Sequence, residues 1–214
     1  MIVIPAINCH REDVGCVKAT LETSGGFLKK DGWVHLDVAD GIFTFNKTWG
    51  DRKAWANMRV PFNTEVHLMV EHPENYVQPW VAAGAKRLIV HAETITPESL
   101  KEILKFAGTR AEVMISSNPE TSTEILEPYI DTVSAFQVLA VHPGLAGQKF
   151  LSLTLEKIKF LRREMPNAKI EVDGGMNLET GKLAKAAGAD ILVAASYIFD
   201  SDDPKKAYES LRAI

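Results

Sequence analysis

Eight short β-branched runs recur along this chain, separated by stretches with helical spacing, and no other feature restricts its fold as strongly. The runs are Ile2–Ile7, Trp33–Ala39, Asn63–Val70, Arg87–His91, Ala111–Ser116, Thr132–Val141, Lys169–Asp173 and Asp190–Ala194. Between the sixth and seventh runs, Leu151, Leu155, Ile158 and Leu161 keep one apolar face, and Pro166-Asn167 ends that helix. Asp203 before Pro204 reads as an N-cap and first helical position. Strands that alternate with helices pair in parallel. An open, doubly wound sheet alternates in the same way. A count of eight in 214 residues favours closure into one α/β domain over residues 1–214, a (β/α)8 TIM barrel. An internal echo agrees: Ala82-Ala83-Gly84-Ala85-Lys86 precedes the fourth run and Ala186-Ala187-Gly188-Ala189-Asp190 the eighth, each with a glycine where a helix must turn into a strand.

Charge narrows the function classes. The formal net charge is -4, with no long run of either sign, so no nucleic-acid or membrane-surface partner is expected. No apolar run approaches the roughly 20 residues needed to span a bilayer. Met1–Ile7 is too short for a signal peptide and is followed by His10, Arg11, Glu12 and Asp13. The two cysteines, Cys9 and Cys16, fit neither a zinc ribbon nor a redox pair, so they are expected as free thiols. The expectation is a cytoplasmic enzyme.

Alternation within the runs points to chemistry. Val34, Leu36 and Val38 oppose His35, Asp37 and Ala39; Val66, Leu68 and Val70 oppose Glu65, His67 and Met69; Ile170 and Val172 oppose Glu171 and Asp173. The apolar face must meet the helices, which leaves His35, Asp37, His67 and Asp173 inside the barrel, near the strand ends where such folds carry their sites. An unpaired buried carboxylate costs several kcal/mol, of order 3–5. Separate salt bridges could satisfy each group. One shared divalent cation satisfies all four, and imidazole with carboxylate suits Zn, Fe, Mn or Co better than Ca or Mg.

Small residues supply a second requirement. Gly144-Leu145-Ala146-Gly147 follows the sixth run, Gly174-Gly175 the seventh and Ala195-Ser196 the eighth. Loops of this kind bring backbone N–H groups close to a phosphate.

Four segments now resemble the ribulose-phosphate 3-epimerase family in order and separation: His35-Leu36-Asp37-Val38-Ala39-Asp40-Gly41, His67-Leu68-Met69-Val70, Val141-His142-Pro143-Gly144-Leu145-Ala146-Gly147-Gln148 and Glu171-Val172-Asp173-Gly174-Gly175. The resemblance covers nearly the whole chain. It implies a ribulose-phosphate-binding barrel and an isomerase of carbohydrate metabolism, in the pentose phosphate pathway. It also implies one divalent metal ion on His35, Asp37, His67 and Asp173, with Asp37 and Asp173 as the catalytic acid/base pair. Substrate contacts are implied at Cys9, His67, Gly144, Leu145, Ala146, Gly147, Gly174, Gly175, Ala195 and Ser196, with Asn46, Thr48 and Gly50 in the loop after the second strand. The implied reaction removes the C3 proton of a ketose phosphate, leaves an enediolate and returns a proton to the opposite face. No nicotinamide or flavin is needed. Whether the chain forms a homo-oligomer stays open.

Some positions depart from the family. Cys9 stands for its usual serine, Asn8 for an apolar residue, Ala39 and Leu139 for methionines that cap the metal, and Ala195 for a glycine; the loop Phe43-Thr44-Phe45-Asn46 lacks a proline. The expected substrate pair is D-ribulose 5-phosphate and D-xylulose 5-phosphate. The alternatives are a hexulose 6-phosphate such as allulose 6-phosphate, and a non-catalytic sugar-phosphate-binding relative. His91 and Glu93 read as a hydrogen bond under the barrel rim rather than as pocket residues. Trp33, Trp49, Trp55 and Trp80 read as packing, with Trp49 the best exception.

Overall fold

The computed structural model describes Met1–Ile214. Its strands are Ile2–Ile7 (β1), Trp33–Ala39 (β2), Asn63–Met69 (β3), Arg87–His91 (β4), Glu112–Ser117 (β5), Ala135–Leu139 (β6), Lys169–Asp173 (β7) and Ile191–Ala194 (β8). They close in sequence order into one parallel barrel, with β1 beside β8. The helices outside are Val14–Gly25 (α1), Arg52–Met58 (α2), Glu74–Ala82 (α3), Pro97–Ala107 (α4), Thr154–Glu164 (α5), Leu178–Ala187 (α6), Ser196–Phe199 (α7) and Pro204–Arg212 (α8). The expected barrel is therefore present. No helix is long and apolar enough to cross a membrane.

Local chemistry sets the element ends. Asp203 caps α8 by accepting from the Lys206 N–H, with Pro204 at the first turn. Gly84 and Gly188, the two glycines of the internal echo, have φ of 102° and 116°, where a side chain would be strained. The β5–β6 crossover is a 3-10 helix, Thr123–Tyr129, with Pro128 inside it. Strand β6 is shorter than expected at both ends. Thr132 and Val133 donate back to the Tyr129 carbonyl and so finish a turn, while the Ala140 carbonyl accepts from Leu151 in the next loop. Strand β8 starts one residue later than expected, at Ile191; the Asp190 carboxylate accepts from Arg162 and from the Ile170 N–H, while its backbone N–H donates to the Ile170 carbonyl.

The two faces of the wall differ. Val34, Leu36, Val38, Val66, Leu68, Ile170 and Val172 belong to the main core beneath the helices. Each such side chain, fully buried, contributes about 1.5–3 kcal/mol. Inside the barrel the apolar residues form two small groups, Ile4, Ala6, Ile191 and Val193 on one side and Ile89, Met114 and Ala135 on the other. Between these groups the lumen carries the polar His35, Glu65, His67, Gln137 and Glu171, all fully buried, with Met69 and Leu139 at its mouth.

One expectation fails here. Cys9 and Cys16 are not free thiols; they form a disulfide, with their Cα atoms 5.9 Å apart. The chain turns back after β1, and the Asp13 side chain accepts from the Cys16 N–H to start α1, which sets Cys16 over the strand end. Their linear spacing carries no sign of that turn. Unreduced protein unfolded in denaturant should therefore show no reactive thiol, and two after reduction. Reduction should destabilise the fold by about 2 kcal/mol, or about 4–8 °C in melting temperature. Two reactive thiols in the unreduced chain would contradict the bridge.

Candidate active site

Strand register brings the key side chains together. In the β2–β3 ladder His35 lies beside Glu65 and Asp37 beside His67; in β6–β7 Leu139 lies beside Asp173. Alternation turns these residues inward. Asp37 Oδ1 lies 3.2 Å from His35 Nε2 and 3.0 Å from His67 Nδ1. Asp173 Oδ2 lies 3.7 and 3.5 Å from the same two nitrogens. Four ligand atoms thus alternate nitrogen and oxygen, all within 4.8 Å of one another. The structure brings together every residue of the expected metal set.

The surroundings decide which atoms face the centre. Glu65 Oε1 is 2.8 Å from His35 Nδ1, so that nitrogen donates outward and Nε2 faces the aspartates. Glu93 Oε2 is 3.3 Å from His91 Nδ1, and His91 Nε2 is 2.8 Å from His67 Nε2. With the His91 proton on Nδ1, its Nε2 accepts from His67 Nε2, which again leaves the inner nitrogen of His67 as a lone pair. Two lone pairs facing two carboxylates repel unless a cation lies between them or each imidazole takes a second proton. The donor set therefore fits a divalent first-row cation.

The protonation tendencies agree. Burial alone would lower the His35 pKa, but hydrogen bonds to Asp37 and Glu65 outweigh it and hold the pKa well above the usual histidine value. His67 is raised in the same way, through Asp173 and Asp37. Burial would raise Asp37, yet its contacts with His35 and His67 hold it far below the usual carboxylate range. Burial, only partly offset by the hydrogen bond to Glu93, pushes His91 down to about 4, so it stays neutral.

Beneath this centre lies a layer that sequence reading missed. Arg87 Nη1 donates to Glu65 Oε2 at 2.5 Å and lies 3.5 Å from Glu171 Oε2; its Nε donates to Glu112 at 2.8 Å. Gln137 donates to Glu171 Oε1 at 3.1 Å and accepts from Ser116 at 2.6 Å. Trp33 packs flat under Arg87, 4.5 Å from its ring centre. Burial and the charge of Glu65 push Glu171 up to about 8. Glu65 and Glu171 stood on the inward side of the alternation pattern, but their arginine sits on a third strand whose neighbours only the register reveals.

Above the centre, one cleft is lined by Asp37, His67, Asp173, the loop Gly144–Gly147, Gly174-Gly175 and Ala195-Ser196. Most of the expected substrate contacts thus share one cavity. A Cβ on Gly175, whose φ is 66°, would meet the Phe150 backbone nitrogen at 2.5 Å, so only glycine fits there. Cys9 lies outside this cleft; it lines a neighbouring cavity, with its sulfur bonded to Cys16. Thr48 Oγ1 donates to the Asp37 carbonyl and accepts from the Ala39 N–H, so it braces the end of β2. Asn46 Nδ2 donates to the Gly144 carbonyl. Gly50 packs against Val38. His91 is buried against His67 and does not line the cleft, which matches its reading as a bond under the rim. Trp49 is buried beside Trp55, as packing. Asn8 was noted only as a departure from the family; it lines the cleft and donates to Asp37 Oδ2 at 2.8 Å.

Residues 19–199 match the model of the ribulose-phosphate 3 epimerase family. A ribulose-phosphate 3-epimerase of Chlamydia trachomatis serovar D is 38% identical, over 94% of this chain and 88% of its own length. The enzyme of that name from Bacillus subtilis is 38% identical over 84% of this chain and 85% of its own length. The one from Schizosaccharomyces pombe is 34% identical over 91% and 87%. Among solved structures, a 3-hexulose-6-phosphate synthase superposes with a TM-score of 0.70 at 16% identity, covering 100% of this chain and 99% of its own. KGPDC from Streptococcus mutans in complex with D-R5P superposes with 0.71 at 15% identity, covering 99% and 95%. At these identities the last two show the shared barrel alone.

The protonation pattern predicts an unusual pH dependence for protein stripped of metal. A histidine raised by folding contributes stability that is complete below its unfolded pKa of about 6.5 and is lost as pH rises through the folded value. His35, His67 and the raised Glu171 all act in that direction. Between about pH 6.5 and 8, metal-free protein should lose at least about 3 °C in melting temperature per pH unit. Saturating Mn(II) should flatten the profile. A melting temperature that rises over that range without metal would contradict the arrangement.

Proposed function

Because the chain belongs to the ribulose-phosphate 3-epimerase family and is an isomerase acting on carbohydrates, we propose that it interconverts D-ribulose 5-phosphate and D-xylulose 5-phosphate by moving a proton between the two faces of C3. The observation that carries this reading is the meeting of Asp37 and Asp173. They come from β2 and β7, which are not neighbours in the wall, and both approach the same pair of imidazole nitrogens.

Asp37 accepts from Asn8 and contacts both imidazoles, which favours its carboxylate form and makes it the base in one direction. It takes the C3 proton, and the electron pair of the broken C–H bond passes into an enediolate. Asp173, entering as the carboxylic acid, gives its proton to the opposite face of C3 and is left as carboxylate. The reverse reaction starts from the exchanged protonation states. His35, Asp37, His67 and Asp173 would hold one Zn, Fe, Mn or Co ion. When bound, that ion supplies Lewis-acid stabilisation of the enediolate charge, worth several kcal/mol, of order 3–5. Glycines at 144, 147, 174 and 175, with Ala195 and Ser196, bring backbone close to the phosphate end of the substrate.

The test is turnover of D-ribulose 5-phosphate with added divalent metal, with C3 proton exchange followed in heavy water. Asp37→Asn and Asp173→Asn should each slow interconversion by at least about 10²-fold while the fold persists by circular dichroism. Unchanged rates in either variant would remove that residue from the mechanism. A wild type that binds the sugar phosphate without turnover under every metal would favour a binding protein instead.

A further inference from the structure

We infer that Asn8 is a positioning residue for the proton transfer: its side-chain amide holds the base Asp37 and the loop carbonyl of Gly144 at the same time. The inference rests on the epimerase reading above and adds a residue that the family's apolar pattern at this position does not supply.

The geometry divides the two oxygens of Asp37 between two tasks. Oδ1 faces both imidazoles, at 3.2 and 3.0 Å. Oδ2 accepts from Asn8 Nδ2 at 2.8 Å. The same Nδ2 donates to the Gly144 carbonyl at 3.1 Å. An amide nitrogen has two N–H groups, and both are used here. Flipping the amide would set its oxygen against a carboxylate and a carbonyl, so its orientation is determined by its neighbours. A carboxylate oxygen has two lone-pair sites. With Asn8 on one of them, the other is the site left at Oδ2 for the C3 proton.

The backbone beneath Asn8 is also secured. Its neighbour Cys9 is bridged to Cys16, and the Cys9 carbonyl accepts from the Trp49 N–H at 2.8 Å. Gly144 receives a second donor, Asn46 Nδ2, at 3.1 Å, and the Pro143 carbonyl accepts from Thr44 at 3.0 Å. A short chain of hydrogen bonds thus runs from Asp37 to the Gly144–Gly147 loop that lines the cleft. A leucine at position 8 would fill the same space without it.

The test compares Mn(II)-loaded wild type with Asn8→Leu and with Asn8→Asp, which keeps the shape but has no donors. Five quantities are read: kcat and KM on D-ribulose 5-phosphate, the primary deuterium isotope effect with substrate labelled at C3, the Mn(II) dissociation constant of stripped protein, and the melting temperature. Asn8→Leu should lower kcat by about 10- to 100-fold, in the range of one lost hydrogen bond to a charged group, with a smaller change in KM. Its isotope effect should exceed that of wild type, because proton transfer becomes more fully rate-limiting. Asn8→Asp should lose more, from like-charge repulsion at Oδ2. Mn(II) affinity in Asn8→Leu should change less than about threefold, since Oδ1 rather than Oδ2 faces the imidazoles. An active wild type with unaltered kcat and isotope effect in Asn8→Leu overturns this inference alone, as does a loss of rate that a matching loss of Mn(II) affinity or of fold accounts for. A wild type without turnover overturns the epimerase reading and this inference with it.

Discussion

A carboxylate that points into a closed barrel cannot turn away to bulk water; it must find positive charge inside or leave the fold strained by its desolvation. That constraint organises the whole lumen of this protein. At the floor, Arg87 supplies the charge for Glu65 and Glu112, while burial beside Glu65 holds Glu171 towards its protonated form. At the mouth, Asp37 and Asp173 have only His35 and His67. The two levels meet in His35, whose Nδ1 serves Glu65 below while its Nε2 faces the aspartates above. Polar groups satisfied from below cannot turn to relieve the charge above, so the upper level is left to be balanced by protons or by a metal.

This division explains why the same scaffold can be both stable and reactive. The outward strand faces are apolar and pack under the helices. The two inner apolar groups line the flanks of the barrel and leave a polar sector between them. Rigid outer carboxylates, Glu65 for His35 and Glu93 through His91 for His67, set which imidazole nitrogen faces inward. Preorganisation of that kind lets a site act without rearranging at the moment of reaction.

Much of this was legible in the sequence, and the reasons are specific. The i, i+2 spacing of His35 and Asp37 puts both on one strand face wherever the strand begins, so small boundary errors do no harm. The glycine echo marked two turns whose φ angles are indeed positive. What stayed hidden depended on three-dimensional neighbours. Arg87 is paired with Glu65 by register across β3 and β4, and Gln137 reaches Glu171 from β6 to β7. A linear pattern shows that Glu65 and Glu171 face inward, but not what they meet there. Strand β6 was overextended because Val133 and Val141 are β-branched and apolar, although both lie outside the ladder. The disulfide escaped because a turn, not a motif, joins its halves.

The central claim is that His35, Asp37, His67 and Asp173 hold one divalent cation between them. Anomalous diffraction from crystals of stripped protein soaked in Mn(II) tests it most directly. The account predicts one strong peak per chain, about 2.0–2.3 Å from His35 Nε2, Asp37 Oδ1, His67 Nδ1 and Asp173 Oδ2. No peak there, or a peak lower in the barrel between Glu65 and Glu171 instead, would contradict it.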